Sequence, residues 1–310
     1  MIPVLAIVGA TASGKSGFAV KTAKKLNGEV VSADSMQIYK YMDIGSAKVT
    51  KEEMQDVPHH LIDVLEPHDD CNVTRFVSLA THAIEDIYSR GKIPVVCGGT
   101  GLYIDSLLKG ASFEDNSRDD DYRAHLEKIA KEKGNEFLHN MLSQCDNIAS
   151  ESIHPNNVKR VVRALEFFHV TGKSITTQKE NTVNTKYYPI YIGMERDREL
   201  LYKNIDIRVD RMVNEGLFDE VLKLIKMGCD LKCNSMQGIG YREVIWYFKG
   251  LCTKDEAIRL IKRNSRRYAK RQLTWFCANK NVRWVNPDDC REVNKLFDDI
   301  YNEIKTLERN

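Results

Sequence analysis

The chain has 310 residues, 42% of them hydrophobic, which is enough for one large folded core carrying an insertion. Acidic and basic residues nearly cancel at net +2, so the overall charge favours no class of partner. No apolar stretch approaches the roughly 18 residues of a membrane span, and the N-terminus leads straight into a predicted strand, without room for a signal peptide; we therefore expect a soluble, cytoplasmic protein.

The first predicted strand, Val4–Val8, leads into a G-x-x-x-x-G-K-S motif. Its members are Gly9, Ala10, Thr11, Ala12, Ser13, Gly14, Lys15 and Ser16. A glycine-rich turn between a buried strand and a helix points backbone N–H groups at an anion. The lysine adds a positive charge, and the serine hydroxyl can hold Mg²⁺. The motif predicts a P-loop that binds a di- or triphosphate, with Lys15 on the phosphates and Ser16 as a magnesium ligand.

Short apolar strands then alternate with helices through the first 110 residues. Val30-Val31 and Ile93–Cys97 are predicted strands, with a helix from Thr74 to Ser89 between them. This order predicts an α/β fold: a P-loop NTPase-like parallel sheet flanked by helices. Ligands of such sheets bind beyond the carboxyl ends of the strands. The P-loop, the segment after Val31 and Gly98-Gly99-Thr100-Gly101 should therefore converge on one crevice.

Asp34 is the most interesting carboxylate at this predicted edge, because it follows a buried strand and lies beside the phosphate site. It can be a general base or simply the cap of a turn. A kinase would place a metal-binding aspartate after a later central strand, but Ile93–Cys97 ends in glycines and Thr100. Thr100 can approach a phosphate oxygen because both its neighbours are glycines, or it can belong to a tight turn.

The remaining chain is predicted to be mostly helical. The composition becomes polar after about residue 112, so we divide the chain into a first core segment (1–114), a helical insertion (115–185) and a segment that completes the core and ends in helices (186–310). The insertion contains an amphipathic helix that begins near Val158 and ends at Gly172. Tyr187–Gly193 is a predicted strand, and almost everything beyond Arg196 reads as helix.

Two groups of potential metal ligands are interpreted as ordinary side chains. His59 and His60 are adjacent, and adjacent side chains usually point in different directions, so structural or hydrogen-bonding roles are expected. Eight cysteines show no disulfide framework. Cys229 and Cys233 form a C-x₃-C pair, but no second Cys/His pair follows at zinc spacing. Reduced thiols are therefore predicted.

A cationic stripe near the C-terminus gives the clearest indication of a partner. Its members recur at helical spacing without an acid between them: Arg259, Lys262, Arg263, Arg266, Arg267, Lys270 and Arg271. A polyanion would relieve their mutual repulsion, so the stripe favours nucleic acid over a solvated face. Gln272, Thr274 and Trp275 follow, and the indole can pack in the core or stack on a base. A second basic face carries Lys159, Arg160 and Arg163.

An ordered series of motifs resembles the tRNA dimethylallyltransferases, bacterial enzymes that isopentenylate an anticodon-loop adenosine. The matching stretches run nearly end to end, at 9–16, 32–39 (SADSMQIY), 58–63 (PHHLID), 98–103 (GGTGLY), 154–166 (HPNNVKRVVRALE), 236–243 (MQGIGYRE) and 268–276 (YAKRQLTWF). Three positions differ from the usual family residues: Ala10 replaces a frequent proline, Gly238 a common alanine and Cys277 a frequent basic residue.

The resemblance implies that the P-loop holds the diphosphate of dimethylallyl diphosphate and that N6 of the adenosine directly 3′ of the anticodon attacks the allylic carbon. Asp34 would be the general base, and Lys15, Thr100, Arg208 and Mg²⁺ would stabilise the departing pyrophosphate. The implied tRNA contacts, in the anticodon stem-loop, are Asp34, Ser35, Met36, Gln37, Thr100, Arg123, Lys159, Arg160, Arg163, Gln237, Gly238, Ile239, Gly240, Tyr241, Arg242, Lys270, Arg271, Gln272, Thr274 and Trp275.

Other activities remain open at this point. The chain could prenylate free adenylate or act as a P-loop nucleoside or nucleotide kinase, although neither small substrate needs two basic faces. It could also be an RNA-binding module without chemistry, which would leave Asp34 and Thr100 unexplained. We expect a monomer that makes no membrane contact.

Overall fold

A computed structural model describes residues 1–110, 119–176 and 186–309 of the chain. The chain folds into two compact units, one made of residues 1–108 and 186–310 and the other of residues 109–185. The predicted boundary between residues 114 and 115 lies outside the described residues, as does residue 185, where the predicted insertion ends.

A six-stranded sheet forms the centre of the larger unit. Its strands are β1 (Ile2–Val8), β2 (Gly28–Ser32), β3 (His59–His60), β4 (Ile93–Gly98), β5 (Tyr187–Met194) and β6 (Arg283–Val285). They pair in parallel in the order β3-β2-β4-β1-β5-β6. Alternate residues of β1 enter two different buried clusters: Val4 and Ala6 pack in one, and Leu5 and Ile7 in the other. Both faces of the sheet are therefore covered, as expected of a parallel sheet.

The helices of the larger unit follow the alternation predicted for the N-terminal half and dominate the C-terminal half. They are α1 (Lys15–Lys25), α2 (Lys51–Met54), α3 (Val73–Ser89), α4 (Gly101–Lys109), α9 (Arg198–Asn214), α10 (Leu217–Lys226), α11 (Tyr241–Phe248), α12 (Lys254–Cys277) and α13 (Cys290–Arg309), with a 3₁₀ turn at Ser235–Gln237. Within the described ranges, no helix has both the length and the hydropathy to cross a bilayer.

The smaller unit is helical. Its helices are α5 (Asp120–Lys133), α6 (Asn135–Cys145), α7 (Asn147–Ser152) and α8 (Val158–Thr171). Leu126, Leu138, Leu142 and Leu165 meet in its buried cluster. Helix α8 ends at Gly172, whose φ of 66° lies in the left-handed region that glycine adopts without strain. The predicted helix from Val158 to Gly172 is confirmed.

Two short strands, β3 and β6, are not predicted from the sequence. β3 and β6 contain two and three residues, too few to show a periodicity of two. The prediction that almost everything beyond Arg196 is helical is confirmed, with β6, which extends the sheet beside β5, as an exception. The three strand ends expected to meet belong to β2, β4 and β1, which are neighbours in the sheet.

Candidate active site

The P-loop joins the buried strand β1 to helix α1. Gly9 and Gly14 have φ angles of 145° and 94°, which an L side chain rarely adopts, so the two glycines of the motif stand where the backbone requires them. Gly14 is the N-cap of α1, and no side chain caps this end. The first turn of the helix therefore directs its free N–H groups and the positive end of its dipole at the loop.

Lys15 reaches back over this loop. Its Nζ donates a hydrogen bond to the carbonyl of Ala10 at 2.5 Å. Burial lowers the pKa of the ammonium to about 8; Cys97 and Asp34 oppose this shift and Arg208 adds to it. An anion bound here would restore the charge of Lys15, so the loop is electrostatically suited to a phosphate group.

Arg208 brings a second cation to the loop from helix α9. Its Nη1 donates to the hydroxyl of Thr11 at 3.4 Å. Burial lowers the pKa of the guanidinium, and the charge of Arg211 lowers it further. Two half-buried cations therefore approach the same loop from different elements, as predicted for Lys15 and Arg208 together.

Asp34 follows β2 and makes a turn around its own carboxylate. Oδ1 accepts hydrogen bonds from the backbone N–H of Met36 at 2.8 Å and of Gln37 at 3.3 Å. The side chain therefore caps a turn, which was the simpler of the two roles open for it. It also lines two cavities, described below, so its second oxygen can meet a ligand while the first holds the turn.

Gln272 of helix α12 joins the P-loop to the loop after β4. The backbone N–H of Thr11 donates to Oε1 of Gln272 at 2.8 Å, while Nε2 of Gln272 donates to the carbonyl of Gly99 at 2.9 Å. Gln272 is buried and holds two loops together, while its contact with tRNA stays a prediction. It also lines the first cavity described below.

The glycines beside Thr100 have a different purpose from the one expected. A Cβ on Gly99 would lie 2.0 Å from Nε2 of Gln272, and one on Gly101 would lie 2.4 Å from Cδ1 of Trp275. These positions therefore make room for α12. The indole of Trp275 donates to Asp105 at 2.9 Å and remains 39% exposed, so it packs on α4 at the surface.

Two cavities, each of about 580 Å³, meet at this site. The first is lined by Thr11, Ala12, Gly14, Lys15 and Ser16 of the P-loop and by Gln37, Lys48, Cys97, Gly98, Gly99 and Gln272. The second is lined by Ser35, Met36, Gln237, Gly238, Ile239, Arg242, Asn264, Arg267 and Arg271. Their walls share seven residues: Thr11, Asp34, Ser46, Ala47, Arg208, Met212 and Tyr268. A ligand in each cavity would therefore meet the other beside the carboxylate of Asp34.

Tyr268 is the site residue that sequence reasoning left out of the predicted contacts. It lies in both cavity walls, and its hydroxyl contacts the side chains of Thr100 and Gln272. Burial raises the pKa of the phenol, and the nearby Asp34 charge adds to the rise. Thr100 thus faces the site through Tyr268. Only the position of Tyr268, one helical turn before Gln272, could have indicated its role.

Lys48 is a third cation at the site, and the sequence did not single it out. It lies in the wall of the first cavity with its side chain 6% exposed, and its ammonium contacts Asp43 at 2.6 Å and Asp63 at 2.5 Å. Both carboxylates neutralise it, so it is a bridge between loops more than a free anion ligand.

The segment from Gln237 to Arg242 divides into a cavity wall and a core anchor. Gln237, Gly238, Ile239 and Arg242 line the second cavity. Tyr241 is fully buried, and its hydroxyl donates to Glu220 at 2.7 Å. Burial therefore gives Tyr241 a packing role, while its contact with tRNA stays a prediction. The N–H of Gly240 donates to the buried carboxylate of Glu243 at 2.8 Å, so Gly240 is likewise held from within.

The cationic stripe on α12 is partly neutralised by helix α9. Lys262 pairs with Asp210 at 2.6 Å and Arg266 pairs with Asp206. The expectation of seven mutually repelling charges is corrected here, because the acids come from another helix. Arg267, Lys270 and Arg271 are exposed, and among the described residues no carboxylate lies within ion-pair distance of them. Thr274 is exposed beside them.

The second basic face, on α8, also contains both paired and exposed cations. Arg163 and Arg123 pair with Glu166 at 2.9 and 2.7 Å. Glu166 is fully buried; burial alone would raise its pKa, but the two arginines outweigh that effect and lower it. Arg123 and Arg163 therefore stabilise the smaller unit, which weakens the expectation that they contact tRNA. Lys159 and Arg160 are exposed and stay predicted contacts.

The adjacent histidines make separate hydrogen bonds. Nδ1 of His59 lies 2.8 Å from the carbonyl of Val57, and Nε2 of His60 lies 2.8 Å from Glu29. Burial lowers the pKa of His59. The prediction of hydrogen-bonding rather than metal-binding histidines agrees with these contacts.

Known proteins of one family match this chain over almost its whole length. A family model described as IPP transferase matches residues 37–280, and one described as isopentenyl transferase matches residues 2–66. The chain is 48% identical over 306 residues to the tRNA dimethylallyltransferase of Acetivibrio thermocellus, covering 98% of each protein. It is 46% identical over 291 residues to that of Lachnoclostridium phytofermentans, covering 93% of each. The crystal structure of a full-length tRNA isopentenylpyrophosphate transferase from Bacillus halodurans superimposes with a TM-score of 0.75 at 44% identity and full coverage of both chains.

Proposed function

The chain belongs to the IPP transferase family, and from that membership and the geometry of the site we propose how it works. It is a prenyltransferase that transfers the dimethylallyl group of dimethylallyl diphosphate to a tRNA adenosine, the one directly 3′ of the anticodon. We assign roles to individual residues because the two cavities meet at Asp34.

The first cavity is assigned to the diphosphate. The P-loop amides, Lys15 and Arg208 supply donors and positive charge to an anion, and the oxygen that leaves the allylic carbon gains negative charge as the bond breaks. These groups therefore bind the transition state more strongly than the intact donor. The neighbouring Thr100 acts through Tyr268, whose hydroxyl it contacts.

The second cavity is assigned to the adenine. Met36, Gly238 and Ile239 offer apolar contacts and Gln237 offers an amide. A base that enters this cavity must leave its stack, at a cost of a few kcal/mol. The exposed cations Arg267 and Arg271 in the same wall favour the adjoining phosphates and offset that cost.

Because both cavities share the wall at Asp34, the two substrates would react beside this carboxylate. The adenine N6 attacks C1 of the allyl group, the C1–O bond breaks, pyrophosphate leaves, and the N6 proton passes to the carboxylate of Asp34. Because Oδ1 of Asp34 is fixed by two backbone N–H groups, the carboxylate is oriented before the substrates arrive.

Magnesium fits the first cavity as a cofactor. Ser16 is exposed at the start of α1 and lines the cavity together with the carboxylate of Asp34, and hydroxyl and carboxylate oxygens are the donors that Mg²⁺ prefers. Bound by Ser16 and the diphosphate, the ion would neutralise charge on the leaving group.

Acceptor choice tests this function directly. The protein is incubated with Mg²⁺ and labelled dimethylallyl diphosphate, and either unmodified tRNA or AMP is added. Label should enter tRNA and not AMP. Transfer to AMP alone would support the free-nucleotide activity, and transfer of the γ-phosphate of ATP without any use of the prenyl donor would overturn the proposal.

A further inference from the structure

A cluster of potential metal ligands lies outside the linings of the two cavities. It contains His68, Cys229 and Cys233, and one ligand atom from each residue lies within 4.8 Å of the others. Cys229 is buried, Cys233 is half-buried and His68 is exposed. The sequence shows only the C-x₃-C pair; the fold adds the imidazole, which is 161 positions from Cys229 in the chain.

The spacing of the ligand atoms suits a tetrahedral ion. Nε2 of His68 lies 3.6 Å from Sγ of Cys229. With zinc–sulfur and zinc–nitrogen bonds of about 2.3 and 2.05 Å, the edge between a sulfur and a nitrogen ligand is about 3.6 Å. Two thiolates and an imidazole also form the soft donor set that zinc prefers over magnesium or calcium.

Two side-chain hydrogen bonds hold the two loops of the cluster together without a metal. The side-chain amide of Asn234 donates to Asp70 at 2.9 Å, and the hydroxyl of Ser235 donates to the carbonyl of Pro67 at 2.6 Å. The residue before Cys229 is Gly228, and a Cβ there would lie 3.6 Å from Nε2 of His68, in ordinary contact. The ligands therefore come from two loops that are already docked.

We propose that His68, Cys229 and Cys233 bind one zinc ion, with water as the fourth ligand on the exposed side of His68. Binding releases the two thiol protons to solvent and forms two zinc–sulfur bonds and one zinc–nitrogen bond. The ion joins the loop after β3 to the loop after α10.

The proposed ion would stabilise a wall of the second cavity. Cys233 is followed at once by Asn234, and then by Gln237, Gly238 and Ile239, all of which line that cavity. A structural ion at Cys233 fixes the start of this segment. Metal binding can be measured without any assay of prenyl transfer, so this inference stands or falls separately from the proposed function.

The test uses the full chain and the metal alone. Protein purified in reducing buffer free of chelators is analysed for bound zinc by mass spectrometry, and the metal-free protein is then titrated with Co²⁺ under nitrogen. One zinc per chain and intense sulfur-to-cobalt absorption are expected. His68→Gln and Cys233→Ser should each weaken zinc binding by at least about 100-fold, more than the loss of a group that only supports a ligand.

Cys145→Ser is the matched control, because Cys145 is an exposed thiol in the smaller unit. It should bind zinc as the unaltered chain does. His68→Gln changes an exposed side chain, so it keeps the test valid if Cys233→Ser does not fold. The inference is overturned if the reduced, folded chain takes up no zinc or cobalt, if all variants bind equally, or if Cys229 and Cys233 form a disulfide in the purified protein.

Discussion

The two cavities are built from different parts of the chain. Most of the first cavity comes from the first 100 residues, chiefly the P-loop, the start of α1 and the segment after β2. Much of the second comes from the segment around Gln237 and from helix α12. Anion binding needs backbone geometry that a short motif can encode, whereas the wall that we assign to the tRNA base is assembled from distant segments. The difference predicts which substrate each substitution will affect.

Asp34→Asn should have the largest effect, because Asp34 belongs to both cavities. The amide oxygen of asparagine can still accept the N–H groups of Met36 and Gln37, so the turn is kept while the base is lost. We expect turnover to fall by about 10²-fold or more, with tRNA binding nearly unchanged. Single-turnover kinetics and a filter-binding assay measure the two quantities. Turnover like that of the unaltered enzyme would remove Asp34 from the mechanism.

Gln272→Ala should affect the first cavity only, although Gln272 lies on the cationic helix. It leaves the Thr11 N–H and the Gly99 carbonyl without their partner, at about 1–3 kcal/mol for each buried group. The KM for dimethylallyl diphosphate should rise by about tenfold or more, and tRNA affinity measured without the prenyl donor should change little. Thr274→Ala, at an exposed position on the same helix, is the control. A loss confined to tRNA affinity would reverse the assignment.

The pH dependence of kcat/KM for the prenyl donor should report on the first cavity, through Lys15. With a pKa of about 8, Lys15 is charged below pH 8 and loses its proton above it. Since the charged form attracts the diphosphate, kcat/KM for the prenyl donor should fall about tenfold per pH unit above 8 at saturating tRNA. Lys15→Arg should abolish this break, because a guanidinium keeps its proton. A profile unchanged by that substitution would assign the break to another group.

Substitution of the exposed cations should affect the second cavity's substrate. Lys270→Gln with Arg271→Gln should weaken tRNA binding and reduce the slope of log affinity against log salt by about 1.5, the value for two lost phosphate contacts. Lys262→Gln is the matched control, because Lys262 is already paired with Asp210. If both substitutions change the slope equally, pairing with α9 does not decide which cations meet the RNA.

Tyr241→Phe should have the smallest effect. It removes the hydroxyl bonded to buried Glu220 and should lower the free energy of unfolding by about 1–3 kcal/mol. Because Tyr241 is buried, the KM for tRNA should not change. Urea unfolding and steady-state kinetics give both values. A raised KM at unchanged stability would return Tyr241 to the interface.

The sequence predicts structural features that depend on neighbouring residues, but it does not predict contacts between residues that are distant in the chain. The P-loop, the converging strand ends and helix α8 could be predicted because strand burial, glycine positions and helical spacing are local. The pairing of Arg266 with Asp206 and the burial of Glu166 beside Arg123 could not, since each depends on another helix. Gln272 and Tyr268 were hidden for the same reason: their roles come from loops more than 160 residues earlier.

The position of Gln272 on α12 has a consequence for how the two substrates bind together. Lys270 and Arg271 lie within two residues of it on the same rigid helix, so a tilt that draws these cations toward RNA also moves the amide that holds Thr11 and Gly99. We therefore expect occupancy of one cavity to affect the other. The two substrates should bind with a measurable coupling free energy, each improving the apparent affinity of the other by the same factor, and Gln272→Ala should uncouple them.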